Sequence, residues 1–202
     1  MKKLLAVVPF ALMASSAFAG TQYFMGGDIG VHDQDWETTS SAGGSTTSSS
    51  HDMANTSIFG IQAGAVVNDQ HRLTAGYDFK DVEVKNLHGE PGVDHDVFAN
   101  TVYAKYDYLF PVTEHVNLSV GPRIGYEWLS GASQPDELNG LVYGGQIGAE
   151  YRTGQWGFGV EGIYLIHDAE LEVNYSDGGV AHTDTVSAGA ERMLKVNVGY
   201  YF

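Results

Sequence analysis

In the last ten residues, MLKVNVGYYF (193–202), every second residue is aliphatic or aromatic, and the residues between them are more mixed in character. One face of an extended chain here carries Leu194, Val196, Val198, Tyr200 and Phe202. The other face carries Met193, Lys195, Asn197, Gly199 and Tyr201. A period of two predicts a β-strand that lies between an apolar and a polar environment.

The same alternation recurs in seven earlier segments of the chain. Each has apolar residues on one face and glycine, polar or charged residues on the other, although Asn100 interrupts the apolar row of its segment. The segments span residues 23–31, 59–67, 72–80, 98–108, 116–128, 141–152 and 156–166. Eight such strands predict an all-β fold, an eight-stranded antiparallel up-and-down transmembrane β-barrel.

An antiparallel soluble sandwich would also alternate, so the connections between strands matter. Tight turns are expected at 68–70, 111–113 and 153–155, whereas 33–56, 86–95, 130–138 and 174–183 are longer and polar. Short turns on one side of a membrane and long loops on the other are typical of transmembrane barrels, as are aromatic residues at the rims. We therefore favour the barrel, with both termini in the periplasm.

The N-terminus has the pattern of a secretory signal peptide. Lys2 and Lys3 precede an apolar run over residues 4–14, and Ala17-Phe18-Ala19 supplies the small residues of a cleavage site before Gly20. The run is shorter than the roughly 20 residues that a spanning helix needs. We predict a signal peptide over residues 1–19 and a barrel domain over residues 20–202. The chain has no cysteine, which excludes disulfides and a lipoprotein anchor.

The charge balance restricts the partners. Without Lys2 and Lys3, 8 basic residues remain against 25 acidic ones. A nucleic-acid partner is excluded because phosphates require basic residues for neutralisation.

Two local motifs resemble a known family. The first strand opens with YFMGGDIG (23–30), which is similar to an aromatic-x-x-Gly-Gly-x-x-Gly pattern, and the last strand ends on Val198, Tyr200 and Phe202. Together they resemble the small outer-membrane barrels related to the OmpA membrane domain, OmpX, OmpW and the opacity-type surface proteins. The resemblance implies the outer membrane of a Gram-negative bacterium, and it implies that the barrel assembly machinery recognises the C-terminal residues. It identifies a fold and a compartment, not a biochemical role.

Charged residues are concentrated on the inward faces of the predicted strands. Seven of them are candidate interior charges: Lys105, Arg123, Glu127, Glu150, Arg152, Glu161 and Lys195. An eight-stranded barrel has an interior that side chains can fill, so we interpret these charges as packed ion pairs. The alternative interpretation is a narrow gated conduit with Arg123 and Glu127 in its constriction.

Few residues suggest catalysis or metal binding. A hydrolase would need serine, histidine and an acid close together, and the nearest candidates are His182-Thr183-Asp184 and His51 with Ser48-Ser49-Ser50. His88-Gly89-Glu90 and Asp94-His95-Asp96 lack the tight spacing of a metal site. We predict no catalytic residue, metal site or cofactor, and no enzyme.

The predicted loops are the remaining candidates for function. The first contains low-complexity Ser/Thr runs and is expected to be mobile. All four are acidic, and hard divalent cations could bridge their carboxylates to lipopolysaccharide phosphates. We expect a structural, adhesive or host-interaction role through these loops, with outer-membrane lipid and host or surface ligands as partners. The alternatives are a narrow conduit for small hydrophobic or ionic solutes and, third, a lipid A-modifying enzyme.

Overall fold

Strands make up almost all of the chain that the computed structural model describes, which comprises residues 20–42, 45–52, 56–84, 95–130, 139–177 and 180–202. The predicted signal peptide, with Ala17 and Ala19 of its cleavage site, lies outside these residues, and Gly20 is the first residue described. Within them, no helix has the length and apolar character needed to cross a membrane.

Ten strands, β1 to β10, follow one another along the chain. They are β1 (Thr21–Ala42), β2 (Ser45–Asp52), β3 (Thr56–Val67), β4 (His71–Val84), β5 (His95–Pro111), β6 (Val116–Ser130), β7 (Gly140–Thr153), β8 (Trp156–His167), β9 (Glu170–Asp177) and β10 (Val180–Tyr201). Eight of them form the barrel in the order β1-β3-β4-β5-β6-β7-β8-β10, and every neighbouring pair is antiparallel. β10 also pairs with β1, which closes the barrel. The predicted fold class is therefore confirmed.

Three tight turns and both ends of the described chain lie at one end of the barrel, which we call the turn end. Asn68 and Asp69 have positive φ angles of 52° and 58°, a conformation that Asn and Asp tolerate better than most residues. Gly154 has a φ of 56° in the turn between β7 and β8. The N–H of Asn68 donates to the carbonyl oxygen of Gly20 at 2.9 Å, which ties the start of the barrel to the first turn.

The opposite end, which we call the hairpin end, differs from the sequence prediction. Residues 33–56 and 174–183 were expected to be loops, but β1 extends to Ala42, β2 covers Ser45–Asp52, and β9 and β10 leave only residues 178–179 undescribed between them. The prediction of an irregular first loop was wrong because β1 continues its ladder with β10 as far as Ala42 opposite His182. Threonine also favours extended backbone. The predicted loops 86–95 and 130–138 lie almost wholly outside the described residues.

These extensions form a four-stranded sheet above the barrel, in the order β2-β1-β10-β9. We call it the hairpin-end sheet. A register shift between Gln34 and Trp36 marks where β1 and β10 leave the barrel. Hydroxyl groups pair across β1 and β2, with Thr39 Oγ1 3.2 Å from Ser48 Oγ and Ser41 Oγ 3.2 Å from Thr46 Oγ1.

The outward face of the barrel is apolar. Ile61 and Ile147 are about two-thirds exposed, at 67% and 66%, and aliphatic or aromatic side chains cover the neighbouring outward positions. Aromatic residues pack against one another near the turn end, where the rings of Trp156 and Tyr200 lie 5.2 Å apart. A closed barrel with such a surface suits the hydrocarbon core of a membrane, where lipid replaces a protein partner.

Asn100, the polar residue in an outward row, has partners that satisfy its amide. Tyr77 Oη donates a hydrogen bond of 2.5 Å to Asn100 Oδ1, and Asn100 Nδ2 donates one of 2.8 Å to Ser130 Oγ. Asn100 is only 7% exposed. Its neighbours therefore shield a group that would be costly to leave unsatisfied in lipid.

The C-terminal strand leads to a first prediction. Phe202 is 62% exposed on the outward face, and its N–H donates to the carbonyl oxygen of Tyr23 at 3.0 Å across the closing seam. We expect deletion of Phe202 to reduce outer-membrane assembly, because it removes the end of the outward row that includes Val198 and Tyr200. The measurement is the amount of folded protein in purified outer membranes. Deletion of Thr47 from β2 is the control, and equal loss in both variants would contradict a special role for Phe202.

Candidate functional site

The inward face of the barrel contains a nearly balanced set of charges. Among the described inward residues there are six basic side chains, Arg72, Lys80, Lys105, Arg123, Arg152 and Lys195. Seven acidic side chains face them, Asp28, Asp78, Asp107, Glu127, Glu150, Glu161 and Glu191. One carboxylate is thus in excess. These side chains lie in three groups along the barrel, which we name the central, turn-end and hairpin-end groups.

The central group is built around Asp78, whose side chain is fully buried. Arg123 Nη2 donates to Asp78 Oδ2 at 2.5 Å, and Lys195 Nζ donates to Asp78 Oδ1 at 2.6 Å. Lys195 Nζ also lies 2.7 Å from Asp28 Oδ1. The guanidinium carbon of Arg123 is 3.5 Å from the centre of the Tyr103 ring, which adds a cation–π contact.

A glycine makes room for the central group. A Cβ atom at Gly60 would lie 2.4 Å from Asp28 Oδ1 and 2.5 Å from Asp78 Oδ1. Both distances are far below van der Waals contact, so a larger residue here would displace the two carboxylates that share Lys195. The inward glycines of the sequence are thus part of the packing of the charges.

The turn-end group joins four strands, β4, β5, β7 and β10. Arg72 donates from Nε to Asp107 Oδ2 and from Nη1 to Glu150 Oε2, each at 2.9 Å. Tyr201 Oη donates to Glu150 Oε2 at 2.8 Å, and Arg152 pairs with the same carboxylate. Next to this group, Phe24, Val66, Leu109 and Tyr201 form a buried apolar cluster. Charge-assisted hydrogen bonds and apolar packing together fill this end of the barrel.

Lys105 and Glu161 lie between the turn-end group and the central group, since Lys105 is opposite Arg123 and Glu161 is opposite Lys195 in the strand ladders. Lys105 Nζ contacts Glu161 Oε1, and Arg72 Nη2 lies 3.9 Å from the same oxygen. Asp107, the partner of Arg72, also accepts a 2.6 Å hydrogen bond from Gln146 Nε2. Charged and polar side chains therefore continue from the turn end to the middle of the barrel.

The hairpin-end group is centred on Glu191 and Lys80, which are both fully buried. Lys80 Nζ donates to the two carboxylate oxygens of Glu191 at 2.8 and 2.9 Å and also contacts Glu127. His32 Nδ1 lies 3.0 Å from Glu191 Oε1, and His167 Nε2 lies 3.1 Å from Glu191 Oε2. Two histidines thus face the carboxylates that share a single lysine.

An apolar cluster lies beside the hairpin-end group. It consists of Ile58, Val142, Ile163, Leu165 and Met193, all at most 5% exposed. The sequence interpretation expected charges and glycines to fill the interior. Aliphatic side chains from four strands contribute as well.

The structure places all seven predicted interior charges inside the barrel, with the Arg152 side chain the most accessible at 19%. It does not bring Arg123 and Glu127, the predicted constriction of a conduit, into a common ion pair. Arg123 binds Asp78, whereas Glu127 binds Lys80 and accepts a 2.8 Å hydrogen bond from Thr101 Oγ1.

His32, Gln34 and His167 were not among the predicted site residues. Gln34 Nε2 lies 3.3 Å from His167 Nε2, so the three side chains extend the hairpin-end group toward the hairpin-end sheet. Their inward position could have been predicted from the alternation of β1. His32 and Gln34 continue the inward row of Asp28 and Gly30, beyond the residue at which β1 was expected to end.

Of the two groups considered for catalysis, the one whose side chains the structure describes is not assembled into a triad. His182, Thr183 and Asp184 are consecutive residues of β10, so Thr183 faces away from the other two. The side chain of His51 lies outside the described part, as do residues 88–90, Asp94 and the side chains of His95 and Asp96. Among the described side chains, no group of three or more His, Asp or Glu residues is arranged to hold a metal ion.

One hydroxyl–imidazole–carboxylate contact was not foreseen. Thr56 Oγ1 contacts His32 Nε2, and His32 Nδ1 faces Glu191. This order of groups is that of a catalytic triad. The carboxylate of Glu191, however, also binds Lys80 and His167, so its charge is already compensated within the hairpin-end group. The contact satisfies a buried histidine, and this is its simplest role.

Comparisons with known proteins identify the fold. No family model matches the chain, and no curated protein matches it in sequence. Among solved structures, OprG from Pseudomonas aeruginosa has 16% sequence identity over 91% of this chain and 96% of its own, with a TM-score of 0.63. Neisserial surface protein A has 16% identity over 91% of this chain and 99% of its own, with a TM-score of 0.56.

A weaker match is the outer membrane protease OmpT from Escherichia coli, with 10% identity over 94% of this chain and 99% of its own and a TM-score of 0.48. The two stronger matches cover nearly the whole barrel and agree with its closed ring of eight strands. The chain has the fold of the small eight-stranded outer-membrane β-barrels.

Proposed function

We propose that this protein is a surface protein of a Gram-negative outer membrane whose barrel is an anchor and whose hairpin-end sheet carries an adhesive or host-contact role. The observation that carries the proposal is the filled interior: three groups of ion pairs and two apolar clusters occupy the barrel from the turn end to the hairpin end. A barrel so packed has little room for a solute, so its function lies on its surface.

The orientation follows from the asymmetry of the two ends. In outer-membrane barrels the short turns face the periplasm and the long extensions face outward. We therefore assign the turn end, with both ends of the described chain, to the periplasm and the hairpin-end sheet to the cell exterior. The similarity to a protein named as a neisserial surface protein supports this assignment.

The hairpin-end sheet is large enough to serve as an interaction surface. β1 and β10 remain paired from Trp36 opposite Ala188 to Ala42 opposite His182, and β2 and β9 extend the sheet on both sides. Ser45, Thr46, Thr47 and Ser48 are exposed. A polar sheet that projects from the barrel presents a firmer surface to a partner than an irregular loop.

An adhesion assay tests this role. Replacing residues 37–50 with a short Gly-Asn turn would remove the β1–β2 hairpin while leaving the closed barrel, and we expect bacterial binding to host cells or matrix to fall. A matched variant that shortens the β9–β10 hairpin shows whether one or both hairpins are required. Undiminished binding by both variants, at equal surface expression, would contradict the proposal.

Conductance provides a second prediction. In planar bilayers the unmodified protein should show no large stable channel, because Asp78, Arg123 and Lys195 close the middle of the barrel. Changing Arg123 to Ala should remove the side chain stacked on Tyr103 and open at most a small leak. A steady, porin-sized conductance in the unmodified protein would contradict the filled interior.

The second candidate function is a narrow conduit for small hydrophobic solutes. It is favoured by the apolar cluster of Ile58, Val142, Ile163, Leu165 and Met193, which is packed inside the hairpin end and would have to separate to admit a hydrophobic solute. Uptake of a small hydrocarbon by cells with and without the protein would separate this function from an anchoring role. A conduit predicts faster uptake that falls when Ile163 is changed to Asp.

A lipid A-modifying enzyme is the third candidate, and the contacts of His32 with Thr56 and Glu191 are the observation to test. Mass spectrometry of lipid A from cells with and without the protein provides the readout. Identical lipid A in both strains would contradict this activity. A difference that disappears in Thr56→Ala would instead favour the enzyme.

The acidic character of the surface suggests how the protein binds lipopolysaccharide. Arg192 is the exposed basic side chain of the described hairpin end, and Asp33 and Asp35 already pair with it at 3.4 and 3.2 Å. Divalent cations are therefore the proposed bridge between loop carboxylates and lipid phosphates.

We expect calcium or magnesium to raise the unfolding temperature in lipopolysaccharide-containing micelles relative to chelator at equal ionic strength. The increase should be smaller when Glu90 is replaced by Gln and Asp94 and Asp96 are replaced by Asn. An unfolding temperature that is the same in all these conditions would contradict cation bridging and indicate that the charges are only solvated.

A further inference from the structure

We infer that copies of this protein join head to tail within one membrane, through pairing of β2 in one copy with β9 in the next. The inference goes beyond the proposed function and rests on it in one respect, that copies share a membrane and an orientation. Its basis is the topology of the hairpin-end sheet, whose two edges are complementary.

Both edge strands have one open side. Within the described residues, β2 pairs with β1 alone and β9 pairs with β10 alone. The open side of an edge strand presents backbone N–H and C=O groups that are available to another strand. Below this sheet the barrel is closed and has no edge, so the hairpin-end sheet is where strand addition can occur.

Most of β2 lacks the features that usually protect an edge, and its one acidic residue, Asp52, lies at its end. Natural edge strands are blocked by lysine, proline, bulges or inward charges. Residues 45–50 of β2 are six consecutive serines and threonines, without a charge or a proline. β2 and β9 also have equal length, eight residues each.

The directions of the strands determine which edges fit together. β1 and β9 run from the turn end toward the hairpin end, so β2 and β10 run back. In two copies with the same orientation, β2 of one and β9 of the other are therefore antiparallel. A β2–β2 or β9–β9 contact would have to be parallel, which is the slightly less stable arrangement.

Charge favours the same choice. β9 carries Glu170 and Glu172, both exposed, and Asp177 in its sequence. Pairing β9 with itself would bring these acids together, and like charges on adjacent strands are destabilising. Pairing β9 with β2, whose one acid is Asp52, reduces this repulsion, because Glu172 and Asp177 then lie opposite the Ser/Thr run. A contact between two different edges repeats from copy to copy, so it produces a ring or an open row.

Disulfide trapping tests the inference cleanly because the chain has no cysteine of its own. One variant has Ser48→Cys in β2, and the other has Asn174→Cys in β9. Co-expressed, they should give a disulfide-linked dimer in outer membranes, while each variant alone should stay monomeric. The double variant should give a ladder of higher oligomers. Neighbouring positions 46–49 and 173–176 are scanned in the same way to cover the alternative registers.

Specific outcomes would overturn the inference. Dimers from the Ser48→Cys variant alone would indicate β2–β2 contact, and no crosslink at any scanned pair would exclude edge pairing. A third variant has Thr46→Pro, because the close hydroxyl contact of Thr46 with Ser41 is typical of a pair without ladder hydrogen bonds, whose backbone donor faces the open side of β2. It should abolish the crosslink, whereas Thr46→Ala should retain it. Membrane fractionation of every variant reports outer-membrane location separately, so failure of the inference is distinguishable from failure of the proposed location.

Discussion

Replacement of Asp78 by Ala should lower the free energy of unfolding by about 3–5 kcal/mol, the usual cost of removing one member of a buried ion pair. Asp78 is fully buried and accepts hydrogen bonds from both Arg123 and Lys195. After its removal Lys195 still has Asp28, but the Arg123 guanidinium loses its carboxylate partner. The cost therefore arises mainly from an uncompensated buried charge.

Equilibrium unfolding in urea, with the protein folded in lipid vesicles, provides the measurement. Asp78→Asn keeps the shape of the side chain and removes only its charge, so it should have most of the same effect. The control is Arg192→Ala, because Arg192 is 56% exposed in its pairs with Asp33 and Asp35 and such surface pairs contribute at most about 1 kcal/mol. Equal stability of the Asp78 and Arg192 variants would contradict the central role of Asp78.

The number of strands and the inward residues could be predicted because lipid and a polar interior impose opposite requirements on alternate side chains. Lys105, Glu161 and Lys195 were placed on the inward face from this period of two alone. Their partners could not be predicted in the same way. Lys80 and Glu191 are 111 residues apart, and they meet only because the sheet closes into a barrel of a particular register.

The hairpin-end sheet was missed for a related reason. Above the membrane both faces of a strand are polar, so residues 38–50 show no apolar row that would indicate extended structure. Their Ser/Thr composition is equally typical of a disordered loop. The strands form there because the barrel holds β1 and β10 side by side and the ladder continues upward. Because β1 was predicted to end at residue 31, Gln34 and His32 were also missing from the predicted site.

The neighbouring glycines 144 and 145 should respond in opposite ways to the same substitution. A Cβ atom at Gly144 would lie 1.9 Å from the carbonyl oxygen of Tyr164 and 3.0 Å from the Cα of Leu165, both backbone atoms of β8. Neither can move without disturbing the β7–β8 ladder. We therefore expect Gly144→Ala to lower the free energy of unfolding by at least the roughly 1–3 kcal/mol that is typical of overpacking.

Gly145→Ala is the matched control, one residue along the same strand. Its Cβ would face outward, with the nearest atom, the carbonyl oxygen of Gly121, at an ordinary 3.5 Å. Without a clash, alanine restricts the unfolded chain and should leave stability unchanged or raise it by up to about 1 kcal/mol. Urea unfolding of the two variants side by side gives the comparison. Equal losses of unfolding free energy in both variants would mean that alanine is unfavourable anywhere in β7. The close approach of β8 would then not explain the glycine at position 144.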